Sequence, residues 1–446
     1  MCGIFGIINH KDAVRIVYSG LYALQHRGQE SSGIVSSDGK KTYSYLGMGL
    51  VSEIFNNEIL EKLKGNISIG HTRYSTYGET TLKNAQPIIV KTVFGELAIA
   101  HNGNLINVKE LRNKLEKEGS IFQTTSDSEV ILHLIAKSSN LGLKFALLKA
   151  LNQIKGAYSI ILMTKNELYG IRDPFGVRPL CLGKLDKSYI LSSETCAFDL
   201  LGAKYLREIK PGEIIRITKN DIKSFYINWS QNKKAHCIFE YIYFSRPDSI
   251  VFNKMVYDVR KELGRILAKE APVDADFVIA IPDSANVAAV GYAEESKIPF
   301  EIGLIRSHYV GRTFIQPKQS IRDFNVKLKF NPVISPFLKN KRIIVIDDSI
   351  VRGTTSRKLI KMLRKTHVKE IHLRISCPPI KFPCFYGIDT PTKEELIASN
   401  YSVEEIRKFI GVDSLHYLSL EGLLKATGMK PDDFCVACFN GNYPIC

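Results

Sequence analysis

The apolar positions follow two different patterns along the chain. Over residues 1–230 they come in short runs broken by Gly-rich turns, and only two stretches keep a helical period. From Ala13 to Gln25, Ile16, Val17, Leu21 and Leu24 fall on one face. From Ser128 to Ser138, Val130, Ile131, Leu134 and Ile135 form a stripe, and Ser126 just ahead predicts an N-cap. Runs such as Ile67–Gly70, Leu97–Ala100, Tyr158–Met163 and Tyr189–Ser192 predict buried strands, giving a layered α+β domain over 1–230. The polar stretch Asn228–Lys234 predicts a linker. Over 231–446 the pattern alternates: strand Asp276–Ile281, helix Ala285–Ser296, strands Phe300–Ile305 and Arg342–Ile346, helix Thr355–Lys365, strand Glu370–Ser376. Continuously apolar strands between helices predict an α/β domain with a parallel sheet, which binds ligands at the carboxyl ends of its strands.

At 446 residues and 45% hydrophobic content the chain suits two or three domains and is neither a disordered tail nor a minimal disulfide scaffold. The net charge of +16 raises the question of nucleic acid. Each half carries +8, and no basic arm or helix-turn-helix stands out, so the surplus fits anionic small substrates and no nucleic-acid partner is expected. The start MCGIFGIINHKD is too short in apolar content for a secretory leader, and no apolar run reaches the roughly 18–20 residues of a membrane span. A cytoplasmic protein is expected, with its nine cysteines reduced unless they bind metal or react.

The segment Arg342–Leu363 is the richest in chemistry. A buried strand ends in Asp347 and Asp348 and runs through Ser349, Arg352, Gly353, Thr354 and Thr355 into a helix. Amides and hydroxyls at such a loop can cradle a phosphate, and the acids can take sugar hydroxyls or Mg²⁺. Solvated acids at a strand end ahead of an ordinary cap are the plainer reading. The whole run resembles the phosphoribosyltransferase signature. That resemblance implies acids on the ribose hydroxyls, a loop on the 5-phosphate of phosphoribosyl pyrophosphate, and Asp283 and Ser284 at the pyrophosphate, with Ser284, Asp347 and Asp348 at Mg²⁺. Between the strand ends, His308–Phe324 reads as a lid carrying Arg312, Lys318 and Arg322, preceded by Arg306.

Cys2 follows the initiator Met, and removing Met1 would leave a thiol and an α-amino group on one residue. Such an amine can pass protons near neutral pH. Three segments add parts: Gly70–Thr76 offers Arg73 for a carboxylate, Ala100–Leu105 offers Asn102 and Gly103 for an oxyanion, and Thr124–Asp127 offers Asp127 for an ammonium. With CGIFGI and QHRGQESSG they resemble the class II, N-terminal-nucleophile glutamine amidotransferases, which implies a four-layer α/β/β/α glutaminase fold and those roles at glutamine.

Joined, the halves resemble one family, the glutamine phosphoribosylpyrophosphate amidotransferases, over almost the whole chain. The resemblance implies 5-phosphoribosylamine synthesis, the first committed step of purine synthesis, by a homotetramer inhibited by purine nucleotides. A phosphoribosyl-pyrophosphate-sensing regulator has no use for Cys2, and other class II enzymes have none for the acid-pair loop. Cys435 and Cys438 form a CxxC without a following helix, which argues against a redox motif. Two more thiolates would complete a Cys₄ site, and Cys237, Cys377, Cys384 and Cys446 are available, for zinc or iron–sulfur. The cluster-bearing branch of the family implies Cys237 and Cys384 and a structural [4Fe–4S] cluster. Two departures from that branch are expected to matter: Cys2 follows Met1, so that simple Met removal would suffice where a short propeptide is common, and Arg306-Ser307-His308 stands where Lys-Asn-Arg is usual.

Overall fold

The computed structural model describes residues 1–75, 77–228, 233–307, 330–333 and 337–445. The first half is built on two antiparallel sheets. One runs in the order Lys204–Glu208, Cys181–Leu185, Ser188–Ser192, Gly3–Ile8, Ile67–Arg73, Ser31–Ser37, Thr42–Met48. The other runs Ile222–Tyr226, Glu213–Ile217, Leu168–Arg172, Gly156–Met163, Gly95–Leu105, Ile88–Thr92. Because strand side chains alternate, each sheet gives one apolar set to the space between them, where Ile4, Val35 and Ile69 meet Ala98, Ile161 and Ile215. Helices Ala13–Ala23 and Cys196–Leu201 cover the first sheet; Val108–Lys117, Asp127–Ala136 and Leu143–Leu151 cover the second. These are the four α/β/β/α layers expected. The Ser126 hydroxyl accepts the Ser128 N–H at 3.3 Å as cap.

Periodicity predicts two helices here, and the structure has more. Val108–Lys117 buries only Val108, Leu111 and Leu115, a stripe too narrow to stand out in a charged window.

In the second half, Phe277–Ala280, Arg342–Asp347, Glu370–Ile375 and Ser414–Tyr417 form a four-stranded parallel sheet. Helices Val256–Glu270, Asn286–Ser296 and Thr354–Arg364 share its core. The expected strand Phe300–Ile305 is corrected. Phe300 makes a single bridge to Val278, and Leu304–Arg306 turns away to pair with Phe330–Pro332. Gly303 interrupts the run, and while Leu304 is buried, Ile302 and Ile305 stay exposed. The expected lid over 308–324 lies outside the described residues, as do 229–232 of the linker and Cys446. Ala157, Phe175 and Val177 of the first half pack into the second half's core, so the two share apolar burial across the boundary. Among the described residues no helix is long and apolar enough to cross a membrane.

Candidate functional site

Cys2 sits just before strand Gly3–Ile8, whose pairing of Gly3 with Thr72 brings it opposite Arg73. Its backbone N–H donates to Asn102 Oδ1 at 3.1 Å, and its thiol lies 3.5 Å from the Tyr74 carbonyl oxygen. Asn102 is fully buried and its Nδ2 has no partner among the described residues. A buried donor without an acceptor is costly, so this amide stands ready for an oxygen that arrives with substrate. Next to it, a Cβ on Gly103 would come within 2.0 Å of the Ala157 carbonyl oxygen; only glycine lets the two strands close there.

Asp127, the first residue of its helix, is buried and fixed. Its Oδ2 accepts the Leu105 N–H at 3.0 Å, and His101 Nδ1 lies 3.6 Å from Oδ1. His101 raises its own affinity for a proton through Asp127 against the cost of burial, and Asp127 is lowered in turn by His101, again against burial. Arg73 is buried as well. It donates to the carbonyls of Glu79 (3.1 Å) and Tyr77 (3.2 Å) and to Ser75 Oγ (3.2 Å), with Glu30 at 3.8 Å. The guanidinium expected to be open for a carboxylate therefore also holds Ser75, Tyr77 and Glu79. Met1 is buried, and burial pushes its amino group down to about 5.

Sequence reasoning missed the charges behind Cys2. Arg27 Nε donates to the Cys2 carbonyl at 3.0 Å, and the same guanidinium is paired with Glu194 and Glu240. QHRG displays Arg27, but nothing local reveals partners 167 and 213 residues away.

The second site lies at the carboxyl end of the parallel sheet. Asp347 ends its strand, Asp348 follows, and both are buried. Ser284 and Ser349 hydroxyls donate to Asp348, and the Asp348 N–H donates to Asp347 Oδ1 at 2.9 Å. Burial pushes both carboxyls up, Asp347 well above the usual range with the charge of Asp348 adding to it. Two adjacent buried acids favour a cation that neutralises both. Gly353, at φ 72°, caps helix Thr354–Arg364, with Thr354 and Thr355 exposed in its first turn. Arg352 reaches Glu395 at 3.3 Å, and Asp283 pairs with Arg306 at 2.6 Å beside the loop. The structure thus brings Ser284, Asp347, Asp348 and Ser349 into contact, and gives Asp283 and Arg352 to ion pairs.

Two of the cysteines pair at the junction. Cys237 and Cys435 are paired residues of two short parallel strands, and Cys438 follows in the next turn. Burial pushes Cys237 up to about 11 and Cys435 up to about 12; in both, Cys384 adds to the rise, and Cys438 is raised by burial and then by Cys237, Cys384 and Cys435. Among the described residues no three His, Cys, Asp or Glu side chains converge closely enough for one metal ion. A tetrahedral zinc at ~2.3 Å from each sulfur demands such convergence, whereas a four-iron cluster takes one thiolate per iron and holds the sulfurs farther apart.

The loop after Cys384 lies on the first site. Asn104 Nδ2 donates to the Phe385 carbonyl at 2.9 Å, Arg178 donates twice to the Tyr386 carbonyl at 3.0 and 2.6 Å, and Tyr74 OH reaches Asp389 at 3.4 Å. A Cβ on Gly387 would stand 3.1 Å from the Gly103 carbonyl carbon.

Comparison with known proteins gives a consistent picture. A family model described as a glutamine amidotransferase domain matches residues 71–199. An amidophosphoribosyltransferase of Bacillus subtilis is 51% identical over 99% of this chain and 94% of its own. One from Methanocaldococcus jannaschii is 50% identical over 100% and 98%. A solved structure described as glutamine phosphoribosylpyrophosphate amidotransferase from B. subtilis, complexed with ADP and GMP, superposes with a TM-score of 0.94 at 49% identity, covering 100% of this chain and 97% of that one.

Proposed function

The chain belongs to the amidophosphoribosyltransferase family, and from that premise we propose how its residues divide the work. The enzyme takes ammonia from glutamine and places it on phosphoribosyl pyrophosphate, opening purine biosynthesis. The observation that carries the division of roles is the Asn102 amide, whose oxygen holds the nitrogen of Cys2 while its NH₂ lacks a partner among the described residues.

In this reading Met1 is removed and the Cys2 thiol attacks the glutamine side-chain carbonyl carbon. The thiol proton passes through the α-amino group to the departing nitrogen, the C–N bond breaks, and ammonia leaves a thioester that water cleaves to glutamate. Asn102 Nδ2 and the Gly103 amide receive the oxyanion, Arg73 takes the substrate carboxylate and Asp127 its ammonium. At the second site ammonia attacks C1, the bond to pyrophosphate breaks, and the attacking nitrogen gives up a proton. The Ser349–Thr355 loop cradles the 5-phosphate, the acids orient the ribose, and Asp283 and Ser284 face the pyrophosphate. Ser284, Asp347 and Asp348 would hold Mg²⁺, which when bound offsets the charge of the leaving group.

Cys237, Cys384, Cys435 and Cys438 would hold a structural [4Fe–4S] cluster, a reading that rests on the family resemblance and on the pairing of Cys237 with Cys435. Purine nucleotides are proposed as inhibitors, in line with the ADP and GMP of the B. subtilis structure. A cytoplasmic homotetramer follows from the family resemblance.

The test is a coupled assay with glutamine, phosphoribosyl pyrophosphate and Mg²⁺: glutamate and pyrophosphate should appear in equal amounts, and glutamate without matching pyrophosphate refutes the joined reaction. Iron and sulfide analysis of anaerobically purified protein tests the cluster; a colourless, iron-free sample excludes it.

A further inference from the structure

A residue at the amino terminus is tethered on one side only. Once Met1 is gone, the orientation of Cys2 depends on what its nitrogen and its carbonyl touch: Asn102 on one, Arg27 on the other. Arg27 is fully buried, and a long guanidinium in that setting is fixed only by its counter-charges. Glu194 is one of them, and it also receives His26 Nε2 at 2.8 Å, the Arg246 N–H at 2.9 Å and Ser249 Oγ at 2.7 Å. The other is Glu240, which takes Arg27 in a two-pronged pair, Nη1 to Oε2 and Nη2 to Oε1, both at 3.0 Å. Glu240 is itself pinned by Ser245 Oγ at 2.7 Å and faces Arg178 at 3.6 Å.

Arg27 comes from the glutaminase half and Glu240 from the other. Glu240 opens the wide π-type turn Glu240–Phe244, three residues beyond Cys237. Arg260 clamps that turn at both ends, donating to the Tyr241 carbonyl at 2.6 Å and the Ser245 carbonyl at 2.8 Å.

We propose that Glu240 is a positioning residue for the nucleophile: by fixing the Arg27 fork it fixes the Cys2 carbonyl, and with it the direction in which the thiol points. The inference rests on Cys2 being the nucleophile. Fork-to-fork pairing sets an angle as well as a distance, so a neutral or shorter partner loosens Arg27 without emptying the space. Glutamine binding, made by other groups, is untouched.

The experiment uses the full-length enzyme. Glu240→Gln should lower kcat for glutamine-dependent synthesis by about 10²-fold, with KM for glutamine within about three-fold and ammonia-dependent synthesis within about two-fold. Alkylation of Cys2 by iodoacetamide should slow in step, and Glu240→Asp should recover part of the loss. Unchanged kcat, or equal loss of both activities, overturns the proposal. If Glu240→Gln does not fold, Ser245→Ala removes one bond to Glu240 and should cost about three- to ten-fold in glutamine-dependent kcat alone; no loss, or equal loss of both activities, overturns it too. A parent enzyme that releases no glutamate from glutamine removes the nucleophile assignment instead, and that result is distinct from every one above.

Discussion

Around Cys2 every principal charge already has its opposite: Arg27 lies against Glu240 and Glu194, and Asp127 against His101. At the end of the parallel sheet, Asp347 and Asp348 lie side by side, and among the described residues neither forms a salt bridge. The chemistry accounts for the difference. Glutamine is nearly neutral at its reacting carbon and develops one anionic oxygen, which the two donors proposed here, Asn102 Nδ2 and the Gly103 amide, would serve. In the proposed reaction phosphoribosyl pyrophosphate would arrive as a polyanion with a cation, and a site already neutralised by arginines would compete with that cation. One site is finished by the chain; the other is finished by its ligands.

Cys2→Ala should break this division most severely. Glutamine-dependent synthesis should fall by at least about 10³-fold while ammonia-dependent synthesis at alkaline pH stays within about two-fold. Equal loss, read from pyrophosphate release, would mean that the sites are not separable. Asn102→Ala should cost about 10²–10³-fold in kcat for glutamine hydrolysis with KM little changed; a rise in KM alone would show that the amide binds glutamine without meeting the oxyanion. Asp347→Asn should lower glutamine- and ammonia-dependent synthesis together by about 10²-fold. Its rate of Cys2 alkylation should match the parent's, and full retained synthesis would remove the acid pair from the second site.

The smallest effect is a slope. Burial holds His71 and His236 down to about 3, so both stay neutral in the folded protein while the unfolded chain takes up protons near 6.5. Stability from this source is present above 6.5 and is lost as pH falls toward 3, by up to about 1.4 kcal/mol per pH unit for each histidine. His236 stacks on Phe252 and lies 2.8 Å from the Gly176 carbonyl. His236→Phe should flatten the fall in urea midpoint between neutral and mildly acidic buffer, and an unchanged slope would assign the fall to other groups.

What could be read from sequence was local. The Ser126 cap and the strand–loop–helix around Asp347 each rest on residues within a few positions of one another, where periodicity and capping act, whereas the two-sheet arrangement pairs strands such as Gly3–Ile8 and Ser188–Ser192 and was implied only by the family resemblance. Arg27 with Glu240, and Cys237 with Cys435, are paired across about two hundred positions, and only the folded chain brings them together. Helix Val256–Glu270 went unread because Arg260, buried and hydrogen-bonded to the turn above it, looks in sequence like a solvent-facing charge. Arg73 was legible as a cation but not as a donor to the Glu79 and Tyr77 carbonyls.

The near-contact of Gly387 with Gly103 has a consequence for recombination. The glutaminase half is no interchangeable cassette, because the strand that carries Asn102 and Gly103, the proposed oxyanion donors, is roofed by backbone drawn from the second half. A chimaera grafting residues 1–230 onto a different acceptor enzyme would leave that roof open to bulk water. To stay sealed, the transplant must bring residues 384–389 along, and with them the cysteine from which that stretch is hung.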